Sequence, residues 1–325
     1  MKYVEIPSVE AIITHGALKR EGMIADVLFP KVKVSASPVG YLDWDKAKEL
    51  TGTDDTLTCT GDVKQIDTEG MEVKYLDIKP KGNSVSISEC NINICGQENL
   101  EEVIEQAKMV TLMDNLLINK EKRAIALATD ESKYTDNTTK VPGEAGAVNE
   151  GGVYHITPTN FNDKTFDLLK WLQPIQENNY MTGKRNIAVM TRNVFNTLLR
   201  NQSFIGSGCA VPATTTESVI ASLLGVEKIV IADAGFNNAV TPGTVNMQGF
   251  WPEKYILFAS VKTLTFSQAA TPTFGATPYK NGFQTIFWID PKKGEGKGAV
   301  YGKTTHDETE QVVTYKAATL VEITA

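Results

Sequence analysis

Histidine and cysteine are both scarce in this chain. Its 325 residues include only three histidines, His15, His155 and His306, and four cysteines, Cys59, Cys90, Cys95 and Cys209. The cysteines follow no C-x-x-C spacing and none has a histidine close by in sequence, so no redox or catalytic thiol is indicated. A chain of this length buries a large core without disulfide staples, and the thiols read as reduced and structural. Positive charge is not in excess either: 32 Lys+Arg stand against 39 Asp+Glu, a net −7. A dedicated nucleic-acid binder needs a basic patch to displace counterions from phosphate, and the composition argues against one. No apolar run approaches the roughly 18 residues of a membrane span; Val219–Val226 and Tyr255–Val261 suit buried strands or helix faces. Glu5 and Glu10 stand where a secretory signal needs a positive start and an apolar middle, so the chain reads as cytosolic and unprocessed at its start. Internal repeats are also missing. What is present, 42% hydrophobic and 22% charged residues, is too apolar for a disordered chain and enough for one large domain or a few modest ones.

The first forty residues carry isolated apolar residues, then Ala25–Val34, which reads as a short extended piece lying against something else. With too few apolar residues for a core, this part is an arm. Thr56–Asn93 alternates as strands do. Leu57, Cys59, Gly61 and Val63 share one side of a first run, and Met71, Val73 and Tyr75 one side of a second, across a turn at Asp67–Gly70. An isolated hairpin is marginal in water, so this one must lean on another surface. A third run, Val85 and Ile87 and then Cys90, Ile92 and Ile94, slips parity and suggests a bulge. Asn99 and Glu102 resemble a capping box. Beyond them Leu100, Val103, Ile104, Ala107, Val110, Leu117, Ile118, Ala124, Ile125 and Ala128 keep helical spacing over a rod of about 45 Å. Loop with short strands follows to Asn160, then a helix at Asp163–Gln173, ended or kinked by Pro174. The rest reads as strand Ile187–Met190, helices Arg192–Arg200 and Glu217–Leu224, and strands Lys228–Ala232, Tyr255–Val261, Thr285–Ile289 and Gln311–Ile323. The fold class is α+β.

No motif assembles a catalytic site. Asp114 and Glu121 lie two turns apart on the apolar stripe of the long helix, where a carboxylate pair could serve acid/base or metal chemistry. The simpler reading pairs each with a Lys or Arg of a packed neighbour, fixing register between elements. Gly294–Thr304 is glycine-rich but lacks the P-loop spacing and context, and reads as a flexible surface loop. Gly206-Ser207-Gly208 is no nucleophile elbow. His306-Asp307-Glu308 reads as a solvated strand end, because neighbouring strand residues point apart. In Lys120-Glu121-Lys122-Arg123 the cations suit the negative end of the helix dipole and form its solvated side. No cofactor and no metal is implied, and the chain does not read as an enzyme. An arm, a projecting hairpin and an overlong helix cannot bury themselves; they are features of a subunit whose missing contacts come from copies of itself.

The order of these segments, with Ala25-Asp26-Val27-Leu28-Phe29-Pro30, then Ile118–Ala126, Asn186–Phe195, Ser218–Ala232 with Asn237-Asn238, Pro272–Gly275 and Ala317–Val321, resembles the major capsid proteins of tailed bacteriophages over nearly the whole chain. The resemblance implies the Hong Kong 97 phage capsid fold. It assigns an N-terminal arm to residues 1–40, an extended β-hairpin loop to 41–92, and a peripheral domain to 93–180 with a spine helix at about 98–128. An axial domain takes 181–255, and 256–325 returns to axial and peripheral β-structure. It also implies self-assembly into hexamers and pentamers of an icosahedral shell, a virion protein assembled in the host bacterial cytoplasm, enclosing double-stranded DNA without sequence-specific binding. Portal, scaffold and decoration proteins are the implied partners, and no membrane is. Ala25–Pro30 comes so early that no cleaved scaffolding region is visible, so a separate scaffold or none is expected. Candidate assembly residues are Asp26 and Phe29 of the arm, Val63, Val73 and Tyr75 of the hairpin, and Asp114, Glu121 and Arg123 of the helix. The alternatives are an encapsulin-like compartment shell around a protein cargo and a cytosolic enzyme using the helix carboxylates.

Overall fold

The strongest apolar runs of the sequence meet in one sheet. In a computed structural model, which describes residues 22–44, 71–88, 100–134, 147–150, 153–177, 185–205, 216–239, 241, 243–262, 273–290 and 299–323, six strands lie side by side. Their order is Ala147–Glu150, Val153–Ile156, Ala318–Ile323, Tyr255–Ala259, Ile187–Met190 and Lys228–Ile231. Successive strand residues point to opposite faces. Ile187, Val189, Leu257, Ala259 and Leu320 therefore enter one core, and Ala188, Met190, Ile256, Phe258 and Val321 the other. Because both faces are covered, the central strands read as continuous apolar runs instead of alternating ones.

The second core is closed by helices Leu168–Glu177, Arg192–Arg200 and Thr216–Leu224, which supply Trp171, Leu172, Phe195, Leu198, Ile220 and Leu224. Ile187–Met190 and Lys228–Ile231 pair in parallel across the last two helices, the βααβ unit expected from the sequence. The first core is closed by the end of the long helix, Leu100–Ala128, through Ala124, Ile125 and Ala128. The arm residues Ile24, Ala25, Leu28 and Phe29 join it there, with Trp251 and Phe274. The long helix has 29 residues, or about 43 Å. Leu112, Met113, Leu116, Lys120, Glu121 and Ala124 face inward, and Thr111, Asn115, Asn119, Lys122 and Ala126 face out. A three-stranded sheet, Gln284–Asp290, Ala299–Asp307 and Pro80–Ser88, leans on this helix. Another, Lys31–Lys33, Gly275–Tyr279 and Gln311–Val312, ties the arm to the body.

Several elements differ from their sequence reading. Ala25–Leu28 is a helical turn, not an extended piece. Its conformation is set by a carboxylate far along the chain, which no local pattern reports. The helix expected from Asp163 starts at Leu168, because Asp167 accepts from the Lys170 N–H at 3.0 Å and caps it, while Asp163 closes a turn onto Thr165. It then runs through Pro174 to Glu177. Ile175, 1% exposed just beyond, offsets by about 1.5–3 kcal/mol of burial much of the roughly 3 kcal/mol that an interior proline costs. The strand expected over Gln311–Ile323 is broken by a 3-10 turn at Tyr315–Ala317, so its two halves serve different sheets. Met71–Leu76 pairs with Val39–Trp44, with Leu42 opposite Val73 and Gly40 opposite Tyr75. The first hairpin run with Val63, the third run beyond Ser88, Asn99, all four cysteines and Gly206–Gly208 lie outside the described residues.

The arm leaves no spare room where it crosses Gly275. A Cβ there would stand 2.6 Å from Cε1 of Phe29 and 3.0 Å from the Leu28 carbonyl oxygen. Gly275→Ala is expected to destabilise the fold by about 1–3 kcal/mol through overpacking and to loosen the arm, read as a lower thermal midpoint and faster proteolysis within residues 22–34.

Candidate functional site

Three parts of the chain that are remote in sequence converge on the last turns of the long helix. Glu121, 1% exposed, accepts from the backbone N–H groups of Ile24 at 2.7 Å and Ala25 at 2.9 Å. These are orphan donors at the start of the arm's helical turn, and a carboxylate there satisfies both. Burial holds the Glu121 carboxyl above its usual range, against the two N–H bonds that favour its charge. Lys120, 3% exposed in its side chain, donates to Asp26 of the arm at 2.7 Å and faces Glu308 at 3.5 Å. Arg123 reaches Glu310 through Nε and Nη2, both at 2.9 Å. Lys81, near the start of strand Pro80–Ser88, donates to the same carboxylate at 2.9 Å. Burial alone would raise Glu310, but the hydrogen bonds from Arg123 and Lys81 outweigh it and pull its pKa down to about 2. Arm, helix, hairpin strand and C-terminal segment are thus joined by one set of charges.

The joint corrects three expectations. Lys120 is buried, not on the solvated side of the helix, because Asp26 and Glu308 compensate its charge. His306 and Glu308, 3% and 4% exposed, are no solvated strand end: both turn toward the long helix, while Asp307 between them takes the side-chain N–H of Asn281 at 2.5 Å. Glu121 meets backbone donors where a cationic partner was expected. Asp114 stands seven residues away and so about 10 Å along the axis, and with both Glu121 oxygens taken by the arm the two carboxylates form no acid/base pair. The residues that sequence reasoning missed are Lys81, Lys120, Glu308 and Glu310. Only Glu308 and Glu310 carried a signal, as acidic residues two positions apart just past strand Ala299–Asp307.

Phe29 lies fully inside the subunit against Phe274, ring centroids 5.6 Å apart. Val73 and Tyr75 are 57% and 74% exposed. Both lie over Gly40, where a Cβ would meet Tyr75 Cε1 at 3.5 Å and Val73 Cγ1 at 3.8 Å. Among the described residues no group of three or more His, Cys, Asp or Glu could hold a metal ion, and no helix is long and apolar enough to cross a membrane. A cleft of about 410 Å³ beside the start of helix Arg192–Arg200 is lined by Arg192 and Asp233, which pair with each other at 3.1 Å.

No family model and no curated protein matches the sequence. Solved structures do. A phage-related protein from Bordetella bronchiseptica RB50 aligns over 99% of this chain and 98% of its own, at 18% identity and a TM-score of 0.61. The capsid of cyanophage P-SCSP1u aligns over 94% of this chain and 89% of its own, at 11% identity and a TM-score of 0.55. The chain has the fold of a phage capsid protein. Within that capsid fold the charged joint holds the arm and the strand Pro80–Ser88 against the long helix, and among the described residues none of the hairpin pair Val39–Trp44 and Met71–Leu76 belongs to either core.

Glu310 gives the capsid fold an acid sensitivity with a definite sign. Its stabilising charge is complete above the ordinary carboxylate value of 4.5 and is lost as pH falls toward 2. Glu310→Gln strands Arg123 and Lys81, and is expected to cost about 2 kcal/mol or more at neutral pH, with a smaller further loss than wild type in urea melts between those two pH values. Glu121→Gln sets an amide donor against a backbone N–H, and is expected to cost about 1–3 kcal/mol and to speed amide exchange at Ile24 and Ala25 with little change in strand Tyr255–Ala259.

Proposed function

We propose that the chain is the major capsid protein of a tailed bacteriophage, built on the Hong Kong 97 type shell fold, and that its copies associate as hexamers and pentamers of an icosahedral head around double-stranded DNA. The observation that carries this reading is the bare hairpin face. Val73 and Tyr75 expose most of their surface on a two-stranded sheet, a structure marginal in water by itself. A neighbouring copy supplies the missing cover, and many such modest contacts formed together hold a shell. The TM-score of 0.55 to a cyanophage capsid supports the reading. In it, residues 1–40 are the arm, 41–92 the extended loop, 93–180 the peripheral domain with the spine helix, 181–255 the axial domain and 256–325 the return. Asp26, 61% exposed beside its ion pair with Lys120, is the arm residue placed to meet a neighbour as well. With a net charge of −7 the shell encloses DNA without gripping it, so purified shells bind free DNA with no steep salt dependence.

The test is assembly. The purified chain is expected to form capsomers, tubes or shells in negative-stain micrographs and sedimentation velocity. Val73→Asp with Tyr75→Asp is expected to keep its thermal midpoint to within about 0.5 kcal/mol of stability, as surface substitutions do, and to remain a small soluble species. A wild-type chain that stays a discrete small particle at every salt and protein concentration overturns the proposal, as does a doubly substituted chain that assembles normally.

A further inference from the structure

His306 is a buried titratable group to which the shell reading assigns no work. It is 3% exposed, and among the described residues neither of its ring nitrogens has a hydrogen-bond partner. The groups facing it come from every element packed around it. Past the end of its own strand, Glu308 stands 3.5 Å from Nε2. Lys81 is its cross-strand partner on Pro80–Ser88, and Lys120 and Arg123 act on it from the long helix. The Phe283 ring packs 4.8 Å away, with the arm's Lys31 Nζ 5.8 Å from that ring. Glu310 lies beyond Lys81 and Arg123, and Asp26 beyond Lys120. A neutral imidazole is compatible with these three cations. An imidazolium is not, unless it takes Glu308 for itself, and Glu308 already faces Lys120.

We propose that His306 is a pH-sensitive catch on this joint: neutral, it lets strand Pro80–Ser88 and the arm lie against the long helix; protonated, it draws Glu308 from Lys120 and repels Lys81, so that strand and arm loosen from the helix while the six-stranded sheet stays closed. The sign follows from its surroundings. Burial, then the cations Lys81, Arg123 and Lys120, hold the His306 pKa below the ordinary 6.5, with Glu308 alone opposing them. The loosened state therefore binds the proton more readily, and the closed state loses ground as pH falls below 6.5. The catch belongs to the single subunit and holds whether or not copies assemble.

Amide hydrogen exchange of the full chain at about pH 7.5 and about pH 5.5, corrected for the intrinsic rate, reads the joint directly. The open population at residues 80–88 and 24–29 is expected to rise by up to about tenfold per pH unit, the limit for one proton, with no rise at Tyr255–Ala259. His306→Gln is expected to abolish the response, and His155→Gln, which removes the imidazole paired with Glu322, to keep it. Histidine C2–H exchange on the unsubstituted protein supplies an independent reading, with His306 titrating below 6.5. A response that survives His306→Gln belongs to another acid-side group of the joint, Glu121 above all, and overturns the proposal. So does a His306 that titrates at 6.5 or above, or a loosening that spreads evenly into the six-stranded sheet.

Discussion

Glu310 is held by Arg123 through two hydrogen bonds and by Lys81 through a third. Its three residues come from the C-terminal segment, the long helix and the strand that leads to the hairpin, separated by 187 and 229 positions. Desolvated charges tolerate little displacement, since a partner removed leaves the others buried and uncompensated. The angle at which the three-stranded sheet leaves the helix therefore depends on this contact. Two residues earlier on the helix, Glu121 does the same for the arm by accepting the first backbone N–H groups of its helical turn. Apolar packing is non-directional and could close over several angles; the carboxylates select one.

The two cores and the joint divide the work of the fold. Burial on both faces of the six-stranded sheet makes the body, and it uses up the strongest apolar segments of the chain. Val73 and Tyr75 of the hairpin receive none of that cover and remain at the surface. In a phage capsid fold this division has a physical logic. The two cores close the body, and the joint fixes the direction in which the arm and strand Pro80–Ser88 lie against the long helix. A titratable group inside the joint is then well placed to adjust direction without disturbing the body, because it touches the charges and not the sheet.

Most of the body was legible in the sequence. Ile187–Met190 and Tyr255–Ala259 announce themselves as continuous apolar runs, and Arg192–Arg200 and the long helix by periodicity, because their side chains bury against whatever covers them and the pattern records only inside and outside. The joint was not legible, for a matching reason. Lys120 and Arg123 look like the polar face of a helix end, and His306 and Glu308 like a strand end reaching solvent. Hydropathy cannot mark a charge as buried when its partner lies as far along the chain as Asp26 does from Lys120, 94 positions. The helical turn at Ala25–Leu28 was hidden in the same way, since its cap is a side chain of another element. Local signals put the ends of helix Leu168–Glu177 at Asp163 and Pro174, whereas Asp167 caps it and Ile175 holds its far side.

By itself the sequence determined the mixed helix and strand composition, the long helix, the βααβ segment and the presence of parts with too little core of their own. These are properties of spacing along the chain, and spacing is local. Tertiary structure alone decided which strands pair, that Met71–Leu76 lies beside Val39–Trp44, and that arm, hairpin strand and C-terminal segment meet at Lys120, Glu121 and Arg123. Those outcomes rest on charge pairs and hydrogen bonds between distant residues, whose strength depends on burial, and burial exists only once the chain has folded.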